Sequence, residues 1–291
     1  MNYKFLLSII LLPSILLVSS CGNDPNIPKG ITVDSPDSLG SDQTKITTTT
    51  VSNYEMVISD IPFPFEILDN LYSKNIPFNE KAMSEVANVE NCNLYNSKAM
   101  NLGIYGADLA YAVTYEEFKS IGASIKATKR LAEELNIPYA FDQAMMDKYS
   151  MYKDNKDSLT KIVYDSYNQV DKHLKNDERV GMAALVVTGS WLEGLYISTK
   201  TFIDAPKNED NSSLYKVIYG QKQSLKIVVK LLDEYKKDAY FSKVIEELNV
   251  ITSEYNNISS DVTMNEKQLI ALHAKIESFR TKIVEGVVIT F

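Results

Sequence analysis

The sequence predicts an all-α protein, a multi-helix bundle or a set of stacked antiparallel helix pairs, with about seven to nine helices. Three observations predict it. Apolar residues recur three and four apart through most of the chain beyond residue 60, the spacing of one helix face. The links between these stripes look short, around Asn136–Tyr139, Lys175–Asp177 and Asn208–Ser212, which favours sequential packing. There is no succession of alternating strands and no strand–glycine loop–helix unit, so no P-loop or dinucleotide fingerprint is present.

The N-terminus reads differently. One cation, Lys4, precedes an almost wholly apolar run from Phe5 to Val18, the layout of a secretory signal. The run is short for a membrane span, which needs about 20 apolar residues, and Pro13 interrupts it. It ends Val18-Ser19-Ser20-Cys21: an aliphatic residue, two small ones, then cysteine. This resembles the lipobox of bacterial lipoproteins. The resemblance covers residues 1–21 and implies cleavage before Cys21 with diacylglycerol on its sulfur. Multiple acyl chains give stable anchoring, at about 0.8 kcal/mol per buried methylene. Gly22 in place of aspartate leans toward the outer membrane. The expected organisation is a signal peptide over 1–20, lipidated Cys21 with a flexible tether to residue 53, and a single helical domain over 54–291. The tether carries Pro25, Pro28, Pro36 and a threonine run from Thr47 to Thr50. A flexible chain of that length holds the domain roughly 30 Å from the bilayer. The body's layout resembles the all-helical lipoproteins of Gram-negative envelopes, a likeness that brings no activity with it.

Within the body, a short helix fits 65–74, after Ile61-Pro62-Phe63-Pro64, and Asn79 caps another to about 89. The stretch 96–135 is one kinked helix or two, and Asp142 caps a short helix to about 151. Leu159, Ile162, Val163, Tyr167, Val170 and Leu174 mark the next stripe, with Asp157 ahead of it as the expected cap. A helix from near Asp177 to about Phe202 follows. Three further stripes run over 214–235, 244–258 and 269–283. The ending Val287–Phe291 reads as core packing rather than as the last strand of a barrel.

Composition narrows the function. The net charge is −8, and losing Lys4 makes the processed chain one unit more negative. No dense basic cluster offers a nucleic-acid footprint, and charge will not draw the chain to anionic lipid. With Cys21 committed to lipid, Cys92 stands alone, and only His173 and His273 are present. No disulfide, zinc site or cysteine–histidine pair is expected, and no cofactor. Tyrosine is abundant, at 18 residues against a single tryptophan. Tyrosines suit ligand surfaces and the half-buried seams of helical proteins alike.

Two segments, Leu102–Tyr115 and Gly181–Tyr196, are apolar on nearly all sides and are expected as central helices. Small residues (Ala99, Gly103, Ala107; Ala183, Val187, Ser190, Gly194) recur along them. Glycine in a helix costs about 0.8–1 kcal/mol relative to alanine, which suggests a tight crossing. Each segment carries one carboxylate, Asp108 or Glu193, which must be paired, hydrogen-bonded or protonated when buried. Tyr105, Tyr111 and Tyr115 lie near Asp108 at helical spacing, as Ser190 and Tyr196 do near Glu193. One reading is a structural carboxylate–tyrosine network. The other is a ligand pocket built from Tyr105, Asp108, Tyr111, Trp191, Glu193 and Tyr196. A third makes Asp108 and Glu193 an acid/base pair for glycan or peptide hydrolysis, which for glycans needs carboxyls about 5–10 Å apart. The leading expectation is a non-enzymatic envelope module, membrane-bound through its lipid, that binds an envelope protein or small ligand. A hydrolase and a purely structural subunit are the alternatives.

Overall fold

The computed structural model describes residues 54–56, 58–137, 143–176, 178–206, 208, 211–259 and 264–286. The chain divides into two units, 1–40 and 41–291, and every described residue belongs to the second. Cys21, the tether, Asp142, Asp177 and the ending Val287–Phe291 lie outside the described residues. The described part is all-α with no strand: α1 (Pro64–Ser73), α2 (Tyr95–Thr114), α3 (Phe118–Glu134), α4 (Gln143–Met151), α5 (Lys156–Asn176), α6 (Val180–Asp204), α7 (Leu214–Asp233), α8 (Ala239–Asn256) and α9 (Glu266–Val284). Two 3-10 turns, Glu80–Ala82 and Val86–Asn91, lie between α1 and α2.

The two uniformly apolar segments are the centre. Every residue of α2 from Ala99 to Thr114 is buried. The α6 helix is long and apolar enough to cross a membrane by length and composition, yet 83% of its most apolar window is buried inside the protein. α2 and α6 pack on each other, with α1, α3 and α5 against α2 and α1, α5, α7 and α9 against α6. α8 lies outside, on α7 and α9. The crossing of α2 and α6 is as close as their glycines suggest. A Cβ on Gly103 would collide with the Val186 carbonyl, and one on Gly189 with the Met100 carbonyl. Gly194 serves another contact, beneath Ile67 of α1.

The 96–135 stretch is two helices. The first stops at Thr114, and Glu116 then adopts φ +59°. Glu116 and Glu117 amides bond back to the Val113 and Ala112 carbonyls, the left-handed cap that usually recruits glycine. Asn75, Asn136 and Glu178 end α1, α3 and α5 in the same way, all with positive φ.

Two expected caps change. α5 is capped by Asn155, whose side chain accepts from the Ser158 amide at 2.8 Å. Asp157 sits inside the first turn, where its charge favours the helix N-terminus. Asn79 caps only one 3-10 turn, accepting from the Lys81 amide at 3.2 Å. The expected helix to about 89 is instead two 3-10 turns, and between them the Ser84 amide and the Glu85 carbonyl bond to α2.

Candidate functional site

Residues 76–92 form a strap along one face of α2. Tyr105, Asp108, Tyr111 and Tyr115 are three, three and four residues apart, so they align on that face. The Tyr105 hydroxyl donates to the Glu85 carbonyl at 2.7 Å. The Ser84 amide donates to Asp108 Oδ2 at 3.1 Å. The Asn79 amide donates to the Tyr111 hydroxyl at 2.9 Å, and Tyr115 donates to the Ile76 carbonyl at 2.9 Å. Side chains of α2 thus satisfy backbone groups that irregular chain cannot pair within itself. The strap runs antiparallel to the helix. Phe78 from the strap stacks on Tyr111, with ring centres 5.0 Å apart.

Beneath Ser84 lies a buried charge cluster. Asp108 and Glu193 are both 0% exposed, and Arg280 of α9 is 9% exposed. Arg280 grips Glu193 in a fork: Nε donates to Oε2 at 2.6 Å and an Nη to Oε1 at 2.7 Å. The same end of Arg280 donates to Ser84 Oγ at 2.7 Å. Its guanidinium lies 4.0 Å from the centre of the Tyr196 ring, which also stacks on His273. His273 Nδ1 is 2.9 Å from Thr199 Oγ1, and burial lowers the His273 pKa.

Two carboxyls share one guanidinium, so full ionisation would bury a net negative charge. Burial first, and then the charge of Glu193, push the Asp108 pKa well above its ordinary value, while Arg280 and Ser84 pull it back. Asp108 Oδ1 has no hydrogen-bond partner. A protonated Asp108 beside a forked Glu193–Arg280 pair leaves the cluster neutral, the least costly state for buried charge.

The structure therefore brings Asp108, Glu193 and Tyr196 into one cluster and aligns Tyr105 and Tyr111 beside it under the strap. Trp191 faces elsewhere. Its Nε1 donates to Gln221 Oε1 of α7 at 3.2 Å. Its ring helps wall a cavity of about 140 Å3 between the segment 58–64, α5 and α6. Phe63, Tyr167, Val187 and Ser190 line that cavity, with Asn168 and Asp171 at its edge. Phe63 stacks on Tyr164 at 4.0 Å and meets Tyr167 edge-on at 4.7 Å. Inside, the Tyr167 hydroxyl is 3.0 Å from Ser190 Oγ and donates to the Gly103 carbonyl at 3.3 Å. Gly106 makes room for that hydroxyl, which a Cβ would strike. Tyr54 and Glu55 beside the cavity are clamped to α5: Tyr54 donates to Asp171 at 2.6 Å, and Lys175 joins Glu55 and Asp171. A wider hollow of about 570 Å3 lies against α3 and α4; its charged residues Lys126, Lys153 and Asp154 are exposed, while Tyr149 in its wall is buried.

Arg280, Ser84, Tyr167 and Phe63 escaped the sequence reading. Arg280 had one signal: it lies four residues from both Ile276 and Val284, on the inward stripe of its helix, where a cation must find a partner. Phe63 and Tyr167 had none, because 104 positions separate them. Cys92 is buried at the end of the strap, and burial pushes its thiol up to about 11, the opposite of an activated nucleophile.

The chain matches no family model, no curated protein and no solved structure.

Proposed function

We propose that this chain is a cell-envelope lipoprotein, lipidated at Cys21 and held at the outer membrane, whose helical body binds a small envelope ligand without transforming it. The observation that carries this reading is the cavity at Trp191. It has aromatic and aliphatic walls and a buried hydroxyl pair, Tyr167 and Ser190, the composition of a small-molecule site. The segment that forms its outer wall directly follows the expected tether in sequence. Asp108 and Glu193, by contrast, are spent on structure. One holds the strap and the other is forked to Arg280, and neither reaches the surface. A hydrolase built on them would first need the strap to lift.

The test has two parts. Metabolic labelling with an alkyne analogue of palmitate should mark the native chain and fail on Cys21→Ser, which should leave the membrane fraction. The full chain, affinity-purified from cells after in-cell crosslinking and examined by native mass spectrometry, should carry a small bound mass. That mass should vanish from Val187→Phe, which fills the cavity, and persist in Asp108→Asn. A stoichiometric protein partner retained equally by native chain and Val187→Phe would defeat the pocket reading in favour of an accessory subunit.

A further inference from the structure

We infer that the Trp191 cavity selects a single-ring aromatic molecule bearing one hydrogen-bond donor, such as a simple phenol. The inference rests on the proposal that this cavity is the ligand site and adds the chemical class.

Size comes first. A dry cavity of about 150 Å3 with apolar walls is enough to take up one benzene, and this one measures about 140 Å3. It has room for one ring and a small substituent.

The walls come next. Phe63, Tyr167 and Trp191 present three aromatic rings to the space, with Ile61, Pro62 and Val187 between them. Rings pack face-to-edge or offset against other rings, for about 0.5–1.5 kcal/mol per pair beyond simple burial. A flexible hydrocarbon chain gains nothing of this kind and must also give up rotamer freedom.

The polar pair then sets the substituent. Tyr167 has one hydroxyl proton, and the Gly103 carbonyl can only accept, so that proton is committed to Gly103. The contact between Tyr167 and Ser190 at 3.0 Å must therefore use the Ser190 proton. Both hydrogens are taken, and what the pair offers the cavity is lone pairs. The ligand must bring the donor. Asp171 at the edge adds further acceptor oxygens. The Asp171 carboxylate at the edge disfavours an anionic ligand on that side.

Trp191 is the only tryptophan in the chain, which makes the cavity its own reporter. The full chain, reconstituted in phosphatidylcholine vesicles, would be titrated with 4-iodophenol and with 6-iodohexan-1-ol. Each probe carries one hydroxyl and one iodine, a heavy-atom quencher of tryptophan emission. We expect saturable quenching by 4-iodophenol, at concentrations at least tenfold below any quenching by 6-iodohexan-1-ol. Val187→Phe should abolish the saturable phase. Ser190→Ala keeps the shape and removes one acceptor, and should weaken 4-iodophenol about fivefold, as one lost hydrogen bond would. Circular dichroism of both variants, matching the native chain, separates loss of binding from loss of fold. Tighter binding of the straight-chain alcohol would overturn the aromatic class and leave the cavity as the ligand site. Only linear, non-saturating quenching by both probes, the same in native chain and Val187→Phe, would overturn the cavity reading itself.

Discussion

Asp108 shows how far one residue's chemistry depends on what folds around it. Burial and the neighbouring Glu193 hold its pKa well above the ordinary 3.8. Between 3.8 and the raised value, the native chain keeps a proton that the unfolded chain has released. The stability tied to that proton is complete below 3.8 and is lost as pH rises through the native value. Asp108→Asn cannot lose the proton. Its stability relative to the native chain should climb by about 1.4 kcal/mol per pH unit within that window. Urea unfolding of both chains, in buffers from acid to mildly alkaline, measures this. Parallel pH profiles would mean that Asp108 ionises as freely inside the fold as outside it. The need for this residue to be neutralised was legible from its apolar surroundings. Its partner was not. The tyrosines spaced around it bond to the strap, and the Ser84 amide that reaches it lies 24 positions upstream.

At the level of elements, helix centres were easier to read than helix ends. A stripe such as Leu269–Leu272–Ile276–Phe279–Ile283 repeats its message every turn, so its helix is over-determined. A stop depends on one residue's backbone. Here α1, α2, α3 and α5 end in left-handed residues that are asparagine or glutamate, where glycine is the usual signal. Past α1 and α3 the left-handed residue turns the chain so that the next one, Ile76 or Ile137, is buried in the core. Glu178→Gly should relieve the backbone strain at the end of α5. Glu178 is exposed, with φ +59°, and a left-handed conformation costs an L-residue roughly 1–2 kcal/mol. Part of that gain is offset by glycine's greater freedom when unfolded. Thermal unfolding of the full chain should show a net gain of about 0.5–1 kcal/mol, and a loss would show that the glutamate side chain contributes more than its backbone costs.

Across the whole molecule, Arg280 ties the last helix to the centre. It reaches 87 positions back to Glu193 on α6 and 196 back to Ser84 on the strap. Breaking a buried pair by removing one partner typically costs about 3–5 kcal/mol, while replacing both with apolar groups is often neutral. Arg280→Met should fall in that range by urea unfolding, and adding Glu193→Leu should recover most of the loss. A single substitution costing under about 1 kcal/mol would show that α9 docks through its apolar stripe alone. Apolar packing is the larger part of this architecture, but it is non-directional. The fork and the Thr199–His273 contact are the directional links between the turns of α9 and α6.

Local sequence alone carried the all-α class, the central place of α2 and α6, a tight helix crossing at their small residues, and the need to pair, hydrogen-bond or protonate two buried carboxylates. Each follows from local spacing or from the energetics of a single residue, and both are written contiguously in the chain. The fold was needed to show that α2 and α6 cross each other, that Glu193 pairs with Arg280, that the tyrosines of α2 carry a strap, and that Trp191 turns away from the carboxylates to bond Gln221 of α7. Those choices depend on which faces meet across tens to hundreds of positions, and no spacing within one helix encodes the angle at which another will cross it.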